Sequence, residues 1–410
     1  MDNEKQKIFK QDLIILRILL NLLFRYYEKK IFYWSPCLNP VGTVKSTINS
    51  AVSLMNYGND TYEVSIINAC GEWDNYINFF LNKNVKVINL RYKYFKYLPK
   101  RGFIQSRFSY LLIYFLSFFQ LFKVLKKYEP NFLIAHLITS LPLSIMFFFN
   151  LKTKFVLRIS GLPKLNILRK QFWKLASKKL FCVTCPTEEL RNKLKKIKLF
   201  SENKLFLLPD AILDMNKFIK QKKQKLQNLS EFDHQRIIVS AGRLTKQKNF
   251  SYLINEFSKF CQTNPDFILI ILGEGEEKKK LESMIIKKKL QKKIYLLGFV
   301  DNVYNYFLKS EIFVLSSKWE EVGFVIVEAA ASNLFVISSN CPNGPTEFLE
   351  NGHNGILFEN NKSNALNEAL NNYLNLKDIN QKKIRLKKNS IKYSKFRHFL
   401  VLNKILSFNI

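Results

Sequence analysis

Short apolar runs alternate with helix-length segments along most of the chain. The runs of the first half are KIFYW, YEVSIINA, VKVINL, FLIAH, KFVLRIS and KLFCVTC, and those of the second half are RIIVSAG, DFILIILG, KIYLLGF, EIFVLSS and LFVISS. Such runs are too apolar to leave one face in water, which is typical of parallel strands covered by helices on both sides. The pattern therefore predicts an α/β protein with two doubly wound halves.

A change in composition separates the two halves. Residues 216–235 lose the apolar strand pattern and gain Lys and Gln, so we place a linker there. The predicted domains are 29–215 and 236–380, preceded by an amphipathic extension at 1–28 and followed by a basic helical segment at 381–410 that packs back on the first domain. Ligands of open α/β sheets bind at the carboxyl ends of the strands, so we expect the halves to face a cleft.

The chain is strongly basic. It has 65 Lys and Arg against 32 Asp and Glu, a formal net charge of +33 and a pI near 9.8. This charge attracts nucleic acid, an anionic membrane surface or phosphorylated substrates, and an AT-rich genome that favours Lys and Asn codons explains part of it. With 47% hydrophobic residues, the chain can bury two cores, and disorder is not expected.

The cysteines and the N-terminal sequence exclude other classes. The six cysteines are scattered, and the Cys182-x-x-Cys185 pair has no second pair to complete a zinc site, so we predict a reducing compartment and no metal. The apolar stretch 13–24 is interrupted by Arg17 and Asn21 and has no small-residue cleavage site, so export is not indicated.

Two glycine-rich loops of the second half differ in what they can bind. LGEGEEKKKL has Gly273 and Gly275 but Lys278 in the third glycine position of a dinucleotide fingerprint, and neither a GxxxxGK[ST] loop nor Asp-x-Asp occurs. SAGRLTKQKNF instead places Arg243 and Lys248 between a strand and a helix, where a helix N-terminus favours an anion. These cations fit a diphosphate without a metal, and the alternative is that both are solvated surface charges.

Several motifs together resemble a known family. GRLTKQKN, ILGEGEEKKKLE, LLGFVDNV, SSKWEEVGFVIVEA and NCPNGPTEFLENGHNGILF occur in the order shown by the donor-binding domain of glycosyltransferase family 4. WSPCLNPVGTVKS and AHLITSLP resemble the acceptor-side loops of that family, and the resemblance runs from about residue 30 to about residue 375. It implies the GT-B fold, a nucleotide-sugar donor, expected to be UDP-linked, retention of anomeric configuration, and no metal or other cofactor.

The resemblance also implies roles for particular residues. Glu320 would contact the donor sugar, and Glu328, on a helix that opens at Gly323 and ends near Ser332, would bind the ribose. Carboxylates suit vicinal hydroxyls because they accept two hydrogen bonds. The catalytic set is His136, Glu320, Arg243 and Lys248, and the donor-binding set is Gly42, Arg243, Lys248, Gly273, Val322, Gly323, Phe324 and Glu328. Surface acids and a core histidine are the alternatives for the glutamates and His136.

The acceptor side suggests a membrane. Cations alternate with aromatics at 91–101, and an apolar run follows at 108–122, as expected at a membrane surface. Fifteen helical residues reach roughly 22 Å, short of the roughly 30 Å hydrocarbon core, so interfacial contact is favoured over spanning, with a buried core helix as the alternative. Residues 12–30 are a second candidate helix whose apolar part, 13–24, is also too short to span, so we expect it to lie in the interface or to pack on the protein. No nucleic-acid module accompanies these stretches.

Together these features predict a glycosyltransferase on the inner face of the cytoplasmic membrane. It would extend a lipid-linked glycan in cell-surface polysaccharide synthesis, with nucleotide sugar, acceptor and anionic membrane as partners and no nucleic acid. Two alternatives stay open: the same fold acting on a soluble acceptor, and a non-catalytic protein that binds polyanions.

Overall fold

The computed structural model describes residues 29–37, 42–90, 103–163, 165–224, 232 and 234–408. The predicted extension at 1–28, the basic and aromatic stretch at 91–101 and most of the linker after residue 224 lie outside the described residues. The chain forms two compact units.

The first unit contains a seven-stranded sheet in the order β3-β2-β1-β4-β5-β6-β7. Its strands pair in parallel from β3 through β6. The strands are β1 (Lys29–Trp34), β2 (Tyr62–Asn68), β3 (Lys86–Asn89), β4 (Phe132–Ala135), β5 (Lys154–Arg158), β6 (Cys182–Cys185) and β7 (Leu205–Leu207). The intervening helices are α1 (Gly42–Tyr57), α2 (Ile77–Leu81), α3 (Phe103–Tyr128), α4 (Ser140–Phe148), α5 (Ile167–Ser177) and α6 (Glu188–Ile197), of which the last begins in the second unit.

The strand order reverses between β1 and β4, which is where ligands of doubly wound sheets bind. Trp34 is paired with Ala135 at the carboxyl end of these strands, and the backbone N–H of His136 continues the pairing by donating to Trp34 O at 2.9 Å. Residues 31–34 are all buried, as expected for a central strand covered on both faces.

Helix α3 is longer than the sequence indicated. It has 26 residues, about 39 Å at 1.5 Å per residue, so the expectation that the apolar run is too short to span does not describe this helix. Its Phe108–Tyr128 part is long and apolar enough to cross a membrane by length and composition. One side of the helix, including Ile113, Leu121 and Leu125, is buried within the protein, which is the packing of a helix attached to a domain surface.

The second unit contains a six-stranded parallel sheet in the order β10-β9-β8-β11-β12-β13. The strands are β8 (Arg236–Ala241), β9 (Phe267–Leu272), β10 (Ile294–Gly298), β11 (Ile312–Leu315), β12 (Phe335–Ser339) and β13 (Ile356–Phe358). The helices are α7 (Met215–Lys222), α8 (Phe250–Thr263), α9 (Lys278–Lys287), α10 (Val303–Lys309), α11 (Phe324–Ala331), α12 (Gly344–Phe348), α13 (Ala365–Leu374), α14 (Ile379–Ser390) and α15 (Lys395–Ser407), of which the last ends in the first unit. The prediction of two doubly wound parallel sheets is confirmed.

The second sheet is buried on both faces. Ile237 and Val239 of β8 join one apolar cluster, whereas Ile238, between them, joins another on the opposite face. Alternate residues of a strand point to opposite sides of its sheet, so each face of β8 has its own core. This explains why the strand sequences are continuous apolar runs rather than alternating ones.

The chain passes between the units more than once. The first unit comprises the described residues up to Cys185, then Leu194–Phe206, then the chain from Phe399 onward, and the second unit comprises Pro186–Lys193 and Leu207–His398. Helix α7 occupies the start of the segment expected to be a linker, and it lies in the second unit.

Candidate active site

The loop after β8 carries the two predicted diphosphate-binding cations. Gly242 has a φ of 153°, and a Cβ there would lie 3.0 Å from Cε of Lys248, so the lysine side chain packs along the glycine backbone. Lys248 closes the loop by donating its N–H to Thr245 O at 3.1 Å. Thr245 Oγ1 is buried and has no hydrogen-bond partner in the part of the chain that the structure describes, so the loop retains an unused polar group.

Lys248 forms an ion pair with Glu320. The side chains are 15% and 9% exposed, and Ser317 Oγ donates to Glu320 Oε1 at 2.6 Å. Because β8 and β11 are neighbours in the sheet, the loops that follow them meet at one edge. A charge pair withdrawn from water needs further hydrogen bonds to be stable, and Ser317 supplies one. The structure thus brings together two of the predicted catalytic residues.

Arg243 lies on the same loop but is not part of this pair. Its side chain is exposed and makes no ion pair with the described residues. An exposed guanidinium beside a partly buried ammonium can be drawn to an anion without first breaking a protein contact.

Gly323 opens α11 as expected. It has a φ of 78°, which glycine tolerates, and the helix runs from Phe324 to Ala331 with Ser332 as its cap. The backbone N–H groups of the first helical turn have no partner within the helix, so those near Val322, Gly323 and Phe324 are available to an anion. Glu328 is half-buried on the helix. The pKa of Tyr304 is raised mainly by burial of its ring, and the charge of Glu328 raises it further.

A second loop supports the glutamate loop, and although the sequence places it in one of the family-like motifs, this supporting role was not predicted. A Cβ on Gly344 would lie 2.1 Å from Glu321 O and 2.4 Å from the Cα of Val322, so only glycine fits. Asn343, with a φ of 77°, donates from Nδ2 to Glu320 O at 3.3 Å. The available signal was the Asn-Gly-Pro triplet, which is typical of a turn with special backbone geometry.

This supporting loop is itself tied to the start of α6. Glu347 accepts hydrogen bonds from the backbone N–H groups of Glu188 at 3.0 Å and Glu189 at 2.8 Å. Lys193 donates from Nζ to Asn343 Oδ1 at 3.0 Å. A carboxylate at a helix N-terminus satisfies N–H groups that have no partner in the helix. All of these residues belong to the second unit.

Gly273 has a packing role in this structure. Its φ is 141°, and a Cβ there would lie 1.9 Å from Gly242 O. The loops after β8 and β9 therefore cross backbone against backbone, which no other residue permits. The close approach of the two loops is by itself a sufficient reason for a glycine at position 273. The assignment of Gly273 to donor binding therefore stays a prediction.

The thiol nearest the ion pair is inert. Burial raises the pKa of the Cys341 thiol to about 11. The hydrogen bond with Ser339 and the charge of Lys248 lower this pKa, whereas the charge of Glu320 raises it. The thiol is therefore protonated at neutral pH and unsuited to act as a nucleophile. Among the described residues no group of three or more His, Cys, Asp or Glu could hold a metal ion.

The first unit carries the other two predicted residues. His136 is 8% exposed, and its ring centroid lies 6.0 Å from that of Tyr33, at the reversal point of the strand order. Gly42 begins α1, and nothing lies within 4 Å of a Cβ built there. The residues just before it, 38–41, lie outside the described part of the chain.

The second unit is similar in sequence to known glycosyltransferases. Residues 221–393 match the model of the family Glycosyl transferases group 1. A relative from Campylobacter jejuni, N-acetylgalactosamine-N,N'-diacetylbacillosaminyl-diphospho-undecaprenol 4-alpha-N-acetylgalactosaminyltransferase, is 30% identical over 230 residues, which cover 54% of this chain and 60% of the relative. The chain covers about three fifths of the length of the first curated relatives that it matches, 61% and 60%.

Solved structures show the same architecture over nearly the whole chain. A glycosyltransferase from Rickettsia africae superposes with a TM-score of 0.73 at 18% identity, covering 93% of this chain and 99% of the other. HepE from Anabaena, solved with UDP and glucose, superposes with a TM-score of 0.68 at 15% identity, covering 93% and 100%. The chain has the GT-B fold. The stretch that matches the glycosyl transferases group 1 model covers most of the second unit.

Proposed function

We propose that the protein transfers a sugar from a nucleotide-diphosphate sugar, expected to be UDP-linked, to a lipid-linked glycan at the membrane surface. The reaction would retain the anomeric configuration and need no metal. The product would serve cell-surface polysaccharide synthesis on the cytoplasmic face of the membrane.

The pairing of Lys248 with Glu320 carries the donor part of this proposal. The Lys248 ammonium lies on the loop after β8. Strand β11, the neighbour of β8 in the sheet, leads to the N-terminus of α11. A cation together with unpaired helix N–H groups stabilises the charge that develops on a departing diphosphate. Glu320, held by Ser317, is then a hydrogen-bond acceptor for hydroxyl groups of the transferred sugar.

Exposed aromatics on α3 support the membrane part. Phe108, Leu111, Phe115 and Phe119 are 59%, 57%, 68% and 64% exposed, and their spacing of three and four residues puts them on one side of the helix. Soluble proteins seldom expose such a continuous apolar row. The opposite side of α3 is buried, so the row fits insertion into the interface while the helix remains attached to the first unit.

The Campylobacter jejuni relative supports a lipid-linked acceptor, because its name describes transfer to a diphospho-undecaprenol-linked sugar. An enzyme with such an acceptor must work where the lipid is. The row on α3 would place the first unit there, which favours this acceptor over a soluble one.

The deciding experiment is a screen of nucleotide sugars with purified protein and membranes that contain lipid-linked glycans. We expect release of one nucleoside diphosphate, stimulated by the membranes and unchanged by EDTA, with a product of the same anomeric configuration by NMR. Absence of turnover with every donor would refute the enzyme proposal. Loss of turnover in EDTA, with recovery on adding a divalent ion, would refute the metal-free mechanism.

A second measurement tests the acceptor side. The double variant Phe115→Ser/Phe119→Ser should lose most of its sedimentation with vesicles and its membrane-stimulated transfer while keeping nucleotide binding. Ile286→Ser, at an exposed apolar position on α9, is the matched control. Equal vesicle binding by the double variant and the wild type would contradict the interfacial role of α3.

A further inference from the structure

Helix α14 and the turn that follows it present two distinct sides. Leu386, Asn389, Ser390 and Tyr393 are buried. The opposite side consists of five exposed residues, which we call the basic face: Ile384, Arg385, Lys388, Ile391 and Lys392. Ile391 keeps helical backbone angles, so the face continues past the end of the helix. Spacings of three, four and seven residues place these five side chains together.

The basic face has no acidic neighbours along the chain. Residues 379–410 contain no Asp or Glu, although the protein as a whole has 32. Lys382 pairs with Asp378 at 3.5 Å and Lys395 with Asp214 at 3.0 Å. Throughout the ranges that the structure covers, no carboxylate forms an ion pair with Arg385, Lys388 or Lys392.

Helix α9 of the same unit shows that a high lysine content does not by itself leave every cation without a carboxylate partner. It is also rich in lysine, but Lys278 pairs with Glu274 at 2.9 Å and Lys280 with Glu277 at 3.1 Å. Two of the four lysines on α9 therefore have a carboxylate partner, whereas none of the three cations of the basic face has one among the described residues. A cluster of one sign produces a local field that attracts anions.

Aliphatic side chains interrupt the cations of the basic face. Ile384 is 53% exposed and Ile391 is 48% exposed, two helical turns apart. Cations with intervening apolar side chains are the pattern of a helix that lies at an anionic lipid surface. Single-stranded nucleic acid would favour aromatic rings for stacking on its bases, and this face has none.

We infer that the basic face docks the second unit on an anionic lipid surface. This deepens the membrane part of the proposed function, on which it rests, because it adds a contact independent of α3. Helix α14 packs against α11, the helix that carries Glu328. The unit with the donor-binding residues would thus have its own electrostatic attachment.

The test compares two triple variants with equal charge changes. Arg385→Gln/Lys388→Gln/Lys392→Gln alters the basic face, and Lys279→Gln/Lys287→Gln/Lys292→Gln removes three exposed lysines from α9 and the turn after it. Binding is measured with vesicles of phosphatidylcholine containing phosphatidylglycerol, and with phosphatidylcholine alone. At roughly fivefold per cation near an anionic surface, the first variant should lose on the order of a hundredfold in binding to the anionic vesicles, and the control much less.

Three results would overturn the inference. These are wild-type vesicle binding by the basic-face variant, equal losses in both variants, or a larger loss of single-stranded RNA binding than of vesicle binding. Donor hydrolysis in detergent should match the wild type in both variants, with thermal melting as the check on folding. If vesicle binding falls as expected but no donor is turned over by any form, the proposed enzyme function fails while this lipid contact stands.

Discussion

The carboxyl edges of the two sheets hold their polar groups in different ways. In the second unit, Lys248, Ser317 and Glu320 bond to one another across loops that follow neighbouring strands. In the first unit, His136 lies against the ring of Tyr33, and Glu72 accepts N–H groups from its own loop. The second edge thus presents a charge pair, whereas the recognition that we propose for the first unit rests on the exposed apolar side of α3.

The largest effect is expected for Lys248→Ala, which changes the carboxyl edge of the second sheet only. If the ammonium stabilises the leaving diphosphate, kcat should fall by on the order of a hundredfold or more with any active donor. The change also leaves Glu320 without its partner, so we expect a loss of stability on the order of 1–3 kcal/mol, and assays should run well below the melting temperature. Lys246→Ala, an exposed lysine of the same loop, is the control. Wild-type kcat in the Lys248 variant would contradict the assignment.

The two glutamates should divide the donor between them. Glu328→Gln is expected to weaken binding of the bare nucleoside diphosphate about tenfold, because one charge-assisted hydrogen bond is worth about 1.5 kcal/mol or more. Glu320→Gln should leave that affinity unchanged and impair transfer. Calorimetric titration with the bare nucleoside diphosphate measures the affinity of each variant. Equal losses of affinity would refute the division.

These residues were accessible to sequence reasoning because each lies in a short motif. Glu320, Gly323 and Glu328 fall within nine positions, and the local turn and helix determine their arrangement. Asn343 and Glu347 were missed because their roles come from contacts between segments far apart in the chain, with Glu320 and with the start of α6. The length of α3 was underestimated for a different reason: residues 103–107 and 123–128 at its two ends include Gln, Ser, Arg and Lys and do not look like part of an apolar run.

Glu347→Gln should have a smaller effect, since it acts through the supporting loop. The carboxamide keeps one acceptor oxygen for two N–H groups, so the loop under Glu320 would be held less firmly. We expect KM for the donor to rise about threefold with kcat nearly unchanged. Glu276→Gln, an exposed acid of the same unit, is the control. A fall in kcat alone, with KM unaltered, would point to a different role.

The smallest effect on activity concerns the first edge, where the change should appear in stability only. Burial raises the pKa of Glu72 to about 7, although hydrogen bonds from Cys70 and Ala69 lower it in part. As pH rises from about 4.5 to about 7, the unfolded chain releases this proton before the folded one, so the folded state loses stability over that window. Glu72→Gln should remove this dependence and raise stability at pH 8 relative to pH 5 by on the order of 2–3 kcal/mol.

Urea unfolding of the wild type and Glu72→Gln at pH 5 and pH 8 measures this difference. Asp60→Asn, which changes an exposed acid in the same unit, should not reproduce it. Parallel pH curves for the wild type and Glu72→Gln would show that this carboxyl does not titrate in the window.

The return of the chain to the first unit from Phe399 onward affects the order in which a ribosome can complete the protein. Lys29 Nζ donates to Leu406 O at 3.2 Å, the ring of Tyr57 lies 5.9 Å from that of Phe399, and Tyr62 bonds to Asn403. The first strands of this sheet are therefore translated early. Some of the residues that they contact are translated nearly 380 residues later, after the whole second unit. Nascent chains stalled before residue 399 would display the first unit with this side uncovered, a substrate for chaperones until translation ends.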